Sequence, residues 1–279
     1  MKINLAKSAG FCFGVKRALE LAQKASHRHK RLCVWGEIVH NQEVMQRLGQ
    51  AGIKKINRLK PNPGTILILP AHGVALNIIE QAKQCGYRII DATCPMVKQI
   101  HKIVRDADRK DYPIIIIGDK RHTEVKGIKG QIKNKALIIE NEKDIPFKKI
   151  KRLKRVCVVA QSTQNLETVL KILDILKLYI KEIKFFNTVC QPTRIKQTEI
   201  RKMPLENEVM IIIGSKNSAN TRRLYEISKS LNKKSFWVSA KEEVKPAWFK
   251  GIKKVGVTAG ASTPQSTIEE IIQSIKNVQ

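Results

Sequence analysis

Short apolar runs that pass directly into small and polar residues recur along the whole chain. One set is 65–69 before Pro70, Ala71, His72 and Gly73, then 114–117 before Gly118 and Asp119, then 210–213 before Gly214 and Ser215. A second set is 88–90 before Asp91, Ala92, Thr93 and Cys94, then 156–159 before Ala160, Gln161 and Ser162, then 255–257 before Thr258 to Ser262. Unbroken apolar runs of this length suit strands buried on both faces of a parallel sheet. Apolar spacing near 3.6 predicts helices between them, over 15–25, 78–85, 166–177, 221–231 and 266–275.

Strands alternating with helices imply an α/β fold with parallel sheets. Each set has three members, so the pattern predicts three small α/β units around one centre. Their expected boundaries are 14–94, 95–187 and 188–279, the last completed by an N-terminal strand within 1–13. A single open sheet is the alternative that pattern alone leaves standing. In either arrangement ligands gather at the carboxyl ends of the strands, where loops lead into helix N-termini with unpaired amides. The polar residues named above fall at those ends.

The 279 residues are enough to bury a sizeable core, and no apolar run approaches the roughly 20 residues that span a bilayer. The N-terminus lacks the apolar core and cleavage site of a secretory signal, so the expected location is cytoplasmic. The formal charge of +29 is extreme. It suits nucleic acid, acidic proteins or anionic substrates alike, and heavy use of Lys and Ile together is also what a drift in coding composition produces. The densest basic run, 148–155, reads as a solvated face or connector.

Six cysteines are too few for a disulfide scaffold, and none stand two to four residues apart as in a local zinc knuckle. Cys33 and Cys157 lie inside apolar strand runs and are expected in the core, and Cys85 precedes Gly86 at a helix end. Cys12, Cys94 and Cys190 differ. Each follows an apolar run and precedes a helical stretch, where the helix dipole favours the thiolate that metals require. Three such thiolates, one from each repeat, would hold a soft metal and leave one coordination position open; three unrelated thiols is the competing reading.

The sequences Gly10-Phe11-Cys12-Phe13-Gly14-Val15, Val39-His40-Asn41, Ala71-His72-Gly73-Val74, Asp91-Ala92-Thr93-Cys94-Pro95 and 257–264 occur in this order. Together they resemble the LytB-type 4-hydroxy-3-methylbut-2-enyl diphosphate reductases over nearly the entire chain. The resemblance implies a trefoil of three pseudo-threefold-related α/β units around a central 4Fe-4S cluster on Cys12, Cys94 and Cys190. It implies an iron-sulfur oxidoreductase that removes an allylic hydroxyl with two electrons and two protons. The products would be isopentenyl and dimethylallyl diphosphate, ending the methylerythritol phosphate branch of isoprene biosynthesis.

His122-Thr123-Glu124-Val125 resembles the family's His-Pro-Glu-Val, which makes Glu124 the expected proton donor and His122 a substrate partner. His40, His72, Ser218, Asn220 and Ser262 match diphosphate contacts, and Ser162 stands where many relatives have Thr. Ala219 replaces a usual Ser, and Ile195-Lys196 stands in place of an Asn-Arg pair before Gln197. The need for outside electrons implies an acidic carrier of ferredoxin or flavodoxin type; no membrane and no specific nucleic acid are expected. Two rivals follow from the residues alone, a basic α/β nucleic-acid-binding protein and a zinc hydrolase using the same thiols. Scarce aromatics and widely spread charge argue against the first.

Overall fold

The computed structural model describes residues 1–278. Strand β1 (Lys2–Leu5) leads into α1 (Phe13–Arg28), β2 (Leu32–Trp35), α2 (Gln42–Gln50), β3 (Lys54–Ile56), β4 (Ile66–Leu69), α3 (Leu76–Gln84) and β5 (Arg88–Asp91). Next come α4 (Pro95–Asp108), β6 (Ile114–Ile117), α5 (Thr123–Lys129), β7 (Leu137–Ile139), α6 (Phe147–Ile150), β8 (Arg155–Ala160), α7 (Leu166–Lys177) and β9 (Glu182–Phe186). The remainder holds α8 (Gln191–Glu206), β10 (Val209–Ile213), α9 (Ala219–Leu231), β11 (Ser235–Val238), β12 (Lys254–Ala259) and α10 (Gln265–Lys276).

The strands form three four-stranded sheets in the orders β3-β2-β4-β5, β7-β6-β8-β9 and β11-β10-β12-β1, with every pairing parallel. The expected α/β class, built from three small parallel-sheet units, is what the chain adopts. Written in these orders the sheets repeat one topology. Strands β2, β6 and β10 are equivalent, as are β4, β8 and β12, and as are β5, β9 and β1.

That equivalence corrects one grouping made from the sequence. The run 65–69 is β4 and belongs with β8 and β12, not with β6 and β10; the run 88–90 is β5, an edge strand equivalent to β9 and β1. The physical reason is that both middle strands of each sheet are covered on both faces, so they read alike. All four isoleucines of β6 are buried, whereas the edge strand β9 alternates exposed and half-buried residues.

The chain divides into two compact units. The first comprises Met1–Lys16, Val39–Met45 and the chain from Gln191 onward; the second comprises Arg17–Ile38 and Gln46–Cys190. In the first unit, alternate residues of β10 feed two cores. Val209, Ile211 and Ile213 pack with Ile268, Ile271 and Ile275 of α10, while Met210 and Ile212 pack with Ile200 and Met203 of α8 and Leu224 and Ile227 of α9. The second unit treats β6 the same way: Ile115 and Ile117 join Val169, Ile172 and Leu176 of α7, and Ile114 and Ile116 join Ile100 and Val104 of α4. Burying each such side chain stabilises the fold by about 1.5–3 kcal/mol. The result is a stiff sheet floor under each set of loops. No helix among the described residues is long and apolar enough to cross a membrane.

Candidate functional site

The three singled-out cysteines occupy equivalent positions in the repeat. Cys12 follows β1, Cys94 follows β5 and Cys190 follows β9, and each immediately precedes the first residue of a helix, α1, α4 or α8. One hydrogen bond recurs at all three. The Cys12 amide donates to the Ala261 carbonyl at 3.1 Å, that of Cys94 to Ala71 at 2.9 Å, and that of Cys190 to Ser162 at 3.0 Å. The three acceptors lie in the loops after β12, β4 and β8, themselves equivalent strands. Each thiol is therefore tied by its backbone to a loop that carries another predicted site residue: Ser262, His72 or Ser162.

In the second unit Glu124 opens α5 and is buried, at 3 % exposure. Its Oε1 accepts from the Ser162 amide at 2.6 Å and its Oε2 from the Ser162 hydroxyl at 2.8 Å. Ser162 thus holds the carboxyl with two donors while its own carbonyl receives the Cys190 amide. His122 caps α5, its Nδ1 accepting from the Glu124 amide at 3.2 Å. In the neutral ring this leaves the proton on Nε2, which makes that nitrogen a donor. Cys190, Ser162, Glu124 and His122 are one connected group.

His72 lies in the turn after β4 that is closed by the Gly73 amide donating to Pro70 at 3.0 Å. Gly73 has φ +72°, and a Cβ there would stand 2.7 Å from Cε1 of His101, so glycine is required by both conformation and space. The loop continues onto α5: Gln131 Nε2 donates to Val74 at 2.7 Å, and the Leu76 amide donates to Gly130 at 3.0 Å. The Arg17 guanidinium donates to the Thr93 carbonyl at 3.2 Å, one residue before Cys94. The second unit therefore gathers Cys94, Cys190, His72, His122, Glu124 and Ser162 on adjoining loops.

The first unit gathers the rest. Ser262 Oγ donates to the His40 carbonyl at 3.3 Å, and Asn41 Oδ1 accepts from the Val44 amide at 3.0 Å, starting α2. Ser218 caps α9, its Oγ accepting from the Thr221 amide at 3.3 Å. Asn220, in the first turn of α9, has both Nδ2 and Oδ1 buried without a hydrogen-bond partner. A buried amide left open in this way is costly unless a ligand meets it. The site chemistry of this unit is amides, hydroxyls and an imidazole at a helix N-terminus, which suits phosphate oxygens.

Lys196 was noted from the sequence only as a departure, and its environment was not foreseen. Its side chain is buried in α8, with Nζ donating to the carbonyls of Ser8, Gly10 at 3.2 Å and Ala259 at 3.1 Å. Burial pushes the ammonium down to about 8, opposed by the attraction of Cys12 and Glu199. Glu199, one turn on, accepts from the amides of Lys7 at 2.6 Å and Ser8 at 3.1 Å and from the Ser8 hydroxyl. A lysine inside an otherwise ordinary helical stretch gives no sequence sign of this role.

Cys33 and Cys157 are buried in strands, as expected, and burial pushes both thiols up to about 11. Cys85 caps the end of α3. No disulfide forms among the described residues, and Cys12, Cys94 and Cys190 are the half-exposed thiols at helix starts. The donor set of three soft sulfurs fits an iron-sulfur centre in its chemistry. Among the described residues no three His, Cys, Asp or Glu side chains stand close enough together to hold a metal ion already.

Residues 3–276 match the family profile described as LytB protein. The 4-hydroxy-3-methylbut-2-enyl diphosphate reductase of Aquifex aeolicus (strain VF5) is 39 % identical over 280 residues, spanning 99 % of this chain and 96 % of the relative. A solved structure of (E)-4-hydroxy-3-methyl-but-2-enyl diphosphate reductase, the terminal enzyme of the non-mevalonate pathway, is 38 % identical with a TM-score of 0.72, covering 99 % of this chain and 100 % of that one. The structure of E-1-hydroxy-2-methyl-but-2-enyl-4-diphosphate reductase from Plasmodium falciparum is 30 % identical with a TM-score of 0.89, covering 97 % and 86 %.

Proposed function

The chain belongs to the LytB family, and from that premise we propose that it reduces (E)-4-hydroxy-3-methylbut-2-enyl diphosphate to isopentenyl and dimethylallyl diphosphate, the last step of the non-mevalonate route. Two electrons and two protons enter and the allylic hydroxyl leaves as water. The nucleic-acid alternative has no support beside a reductase match of this length.

In this reading Cys12, Cys94 and Cys190 hold one 4Fe-4S cluster, one thiolate following the edge strand of each sheet, β1, β5 and β9; the three α/β units are 14–94, 95–187 and 188–279 with 1–13, with Cys190 just past the end of the second. Bound there, the cluster supplies electrons singly and an iron site that acts as a Lewis acid. Glu124 holds the proton that departs with the hydroxyl. Ser162 suits that task because its hydroxyl can accept as well as donate, so the carboxyl finds a partner at Oε2 in either protonation state. His122 presents Nε2–H to the substrate. His40, His72, Ser218, Asn220 and Ser262 bind the diphosphate, where the unpartnered Asn220 amide gains the hydrogen bonds it lacks.

The observation that carries the assignment within the site is the buried Glu124 carboxyl gripped by Ser162, whose carbonyl in turn receives the Cys190 amide. It brings a proton store to the loop of a proposed cluster ligand. Electrons come from an acidic carrier of ferredoxin or flavodoxin type, in the cytoplasm, where a reducing environment keeps the six thiols available.

The test is anaerobic reconstitution with iron and sulfide, followed by reductant-driven turnover of the allylic diphosphate. Wild type should turn brown and release both products. Glu124→Gln should keep the cluster spectrum and lose turnover by about 10²–10⁴-fold, the usual worth of a placed general acid. A colourless protein that binds zinc alone, or normal turnover by Glu124→Gln, would overturn the cluster or the acid assignment respectively.

A further inference from the structure

One helix holds the Cys12 loop by two opposite charges. Lys196 and Glu199 stand three residues apart on α8, so their side chains share a face. Lys196 gathers carbonyl oxygens of Ser8 and Gly10 from that loop and of Ala259 at the end of β12, while Glu199 takes the amides of Lys7 and Ser8. The other backbone bonds of the loop between β1 and α1 lie at its two ends: the Ala6 amide reaches Val257 at 2.8 Å, the Ala9 amide Ala6 at 3.1 Å and the Cys12 amide Ala261 at 3.1 Å, and the Cys12 carbonyl accepts from the Lys16 amide at 3.0 Å. Gly10 within it has φ +89°, a conformation open to glycine and strained for other residues, so the turn itself is soft and its position depends on what grips it.

The charge itself needs explaining. An ammonium at 3 % exposure has neutral backbone carbonyls as its hydrogen-bond partners, and Glu199 attracts it from the next turn. A methionine or glutamine would fill the same space at lower desolvation cost, so a lysine here implies a use for the positive charge. The Lys196 Nζ donates to the Gly10 carbonyl at 3.2 Å, two residues before Cys12, which sets the charge beside that thiol's loop.

We propose that Lys196 and Glu199 form a charged clamp that positions Cys12 for cluster binding, and that the positive charge of Lys196 stabilises the more electron-rich state of the bound cluster. Lys196 is thus a positioning residue that also sets the cluster potential. The inference rests on the reading of Cys12 as a cluster ligand.

The experiment uses reconstituted holoenzyme and reads two quantities: the rate at which a chelator strips iron, and the midpoint potential from a redox titration followed by electron paramagnetic resonance. Lys196→Met should lose iron about tenfold faster, the scale typical of residues that orient metal ligands. Its potential should move negative, because removing a nearby positive charge destabilises the reduced cluster. Lys196→Arg, which returns the basic residue of the family pattern, should keep the wild-type potential. Glu199→Gln should also speed iron loss but move the potential positive, because it removes a nearby negative charge. A purely structural defect would not split the two variants by sign.

A Lys196→Met potential equal to wild type, or iron loss unchanged in both variants, overturns the proposal. If Lys196→Met does not fold, Glu199→Gln decides alone, since unaltered iron loss there removes the clamp. Cys12→Ser separates this inference from its premise. A cluster retained with unchanged spectrum in Cys12→Ser sinks the ligand assignment, whereas its loss there combined with wild-type behaviour of the α8 variants sinks only the clamp.

Discussion

His101 shows how much one buried side chain can contribute to pH dependence. It lies on α4 with Nε2 buried and unpartnered, its ring filling the space beside Gly73 that a Cβ there would occupy. Burial, reinforced by Arg105 and opposed by Asp91, pushes its pKa down to about 4 from an ordinary 6.5. The unfolded chain therefore binds the extra proton between those values and the folded chain does not. The associated stability is complete above pH 6.5 and is lost as pH falls toward 4, by about 3 kcal/mol over that window. Urea unfolding of the apoprotein at pH 7 and pH 5 should show the part of this drop that falls above pH 5, about 2 kcal/mol, in wild type and a flatter dependence in His101→Phe. Equal slopes in the two would remove His101 as the cause. At this scale the sequence was informative where chemistry follows from local context: Cys33 and Cys157 read as core thiols, and Cys12, Cys94 and Cys190 as helix-start thiols. It was silent on His101 and Lys196, because burial of a polar residue depends on what packs over it.

Elements were legible in proportion to how uniformly they are buried. Helix α7 and strand β6 fall at Leu166–Lys177 and Ile114–Ile117, the positions expected, since each carries an unbroken apolar signal. The three-residue strands β3 and β7 and the short α5 carry too few apolar positions to stand out, and α5 holds Glu124. The seating of α5 can be tested at Gly130, whose φ of −74° is ordinary but whose space is not. A Cβ there would fall 2.1 Å from the Cβ of Ala75 and 2.8 Å from its Cα, both ahead of α3. Gly130→Ala should therefore destabilise the protein by about 1–3 kcal/mol, as overpacking does. Adding Ala75→Gly removes the Cβ clash but not the one with the α-carbon, so it should restore part of the loss, and a double-mutant cycle of unfolding free energies measures the coupling. Additive effects would mean that the α5 end and the loop before α3 do not meet.

Across the whole molecule the charge of +29 is the property least explained by the sites. Several ion pairs among the described residues are surface contacts, such as Lys98 with Asp91 at 2.6 Å and Lys177 with Asp174 at 2.9 Å. Pairs of this kind contribute about 0–1 kcal/mol each, so stability does not account for the excess. A net positive field does act at a distance, within a screening length of about 8–10 Å at moderate salt. It draws anionic partners together faster without tightening the final contact. If the electron donor is an acidic carrier, its second-order rate constant for reducing the reconstituted enzyme should fall by about tenfold or more between low and moderate salt. A viologen radical cation, which the same field repels, should instead hold steady or speed up as salt rises. Stopped-flow reduction with the two donors across a salt series separates steering from any general effect of salt on the enzyme. Should both donors respond alike, or the acidic carrier not respond at all, the charge has no part in electron delivery and reverts to a feature of composition.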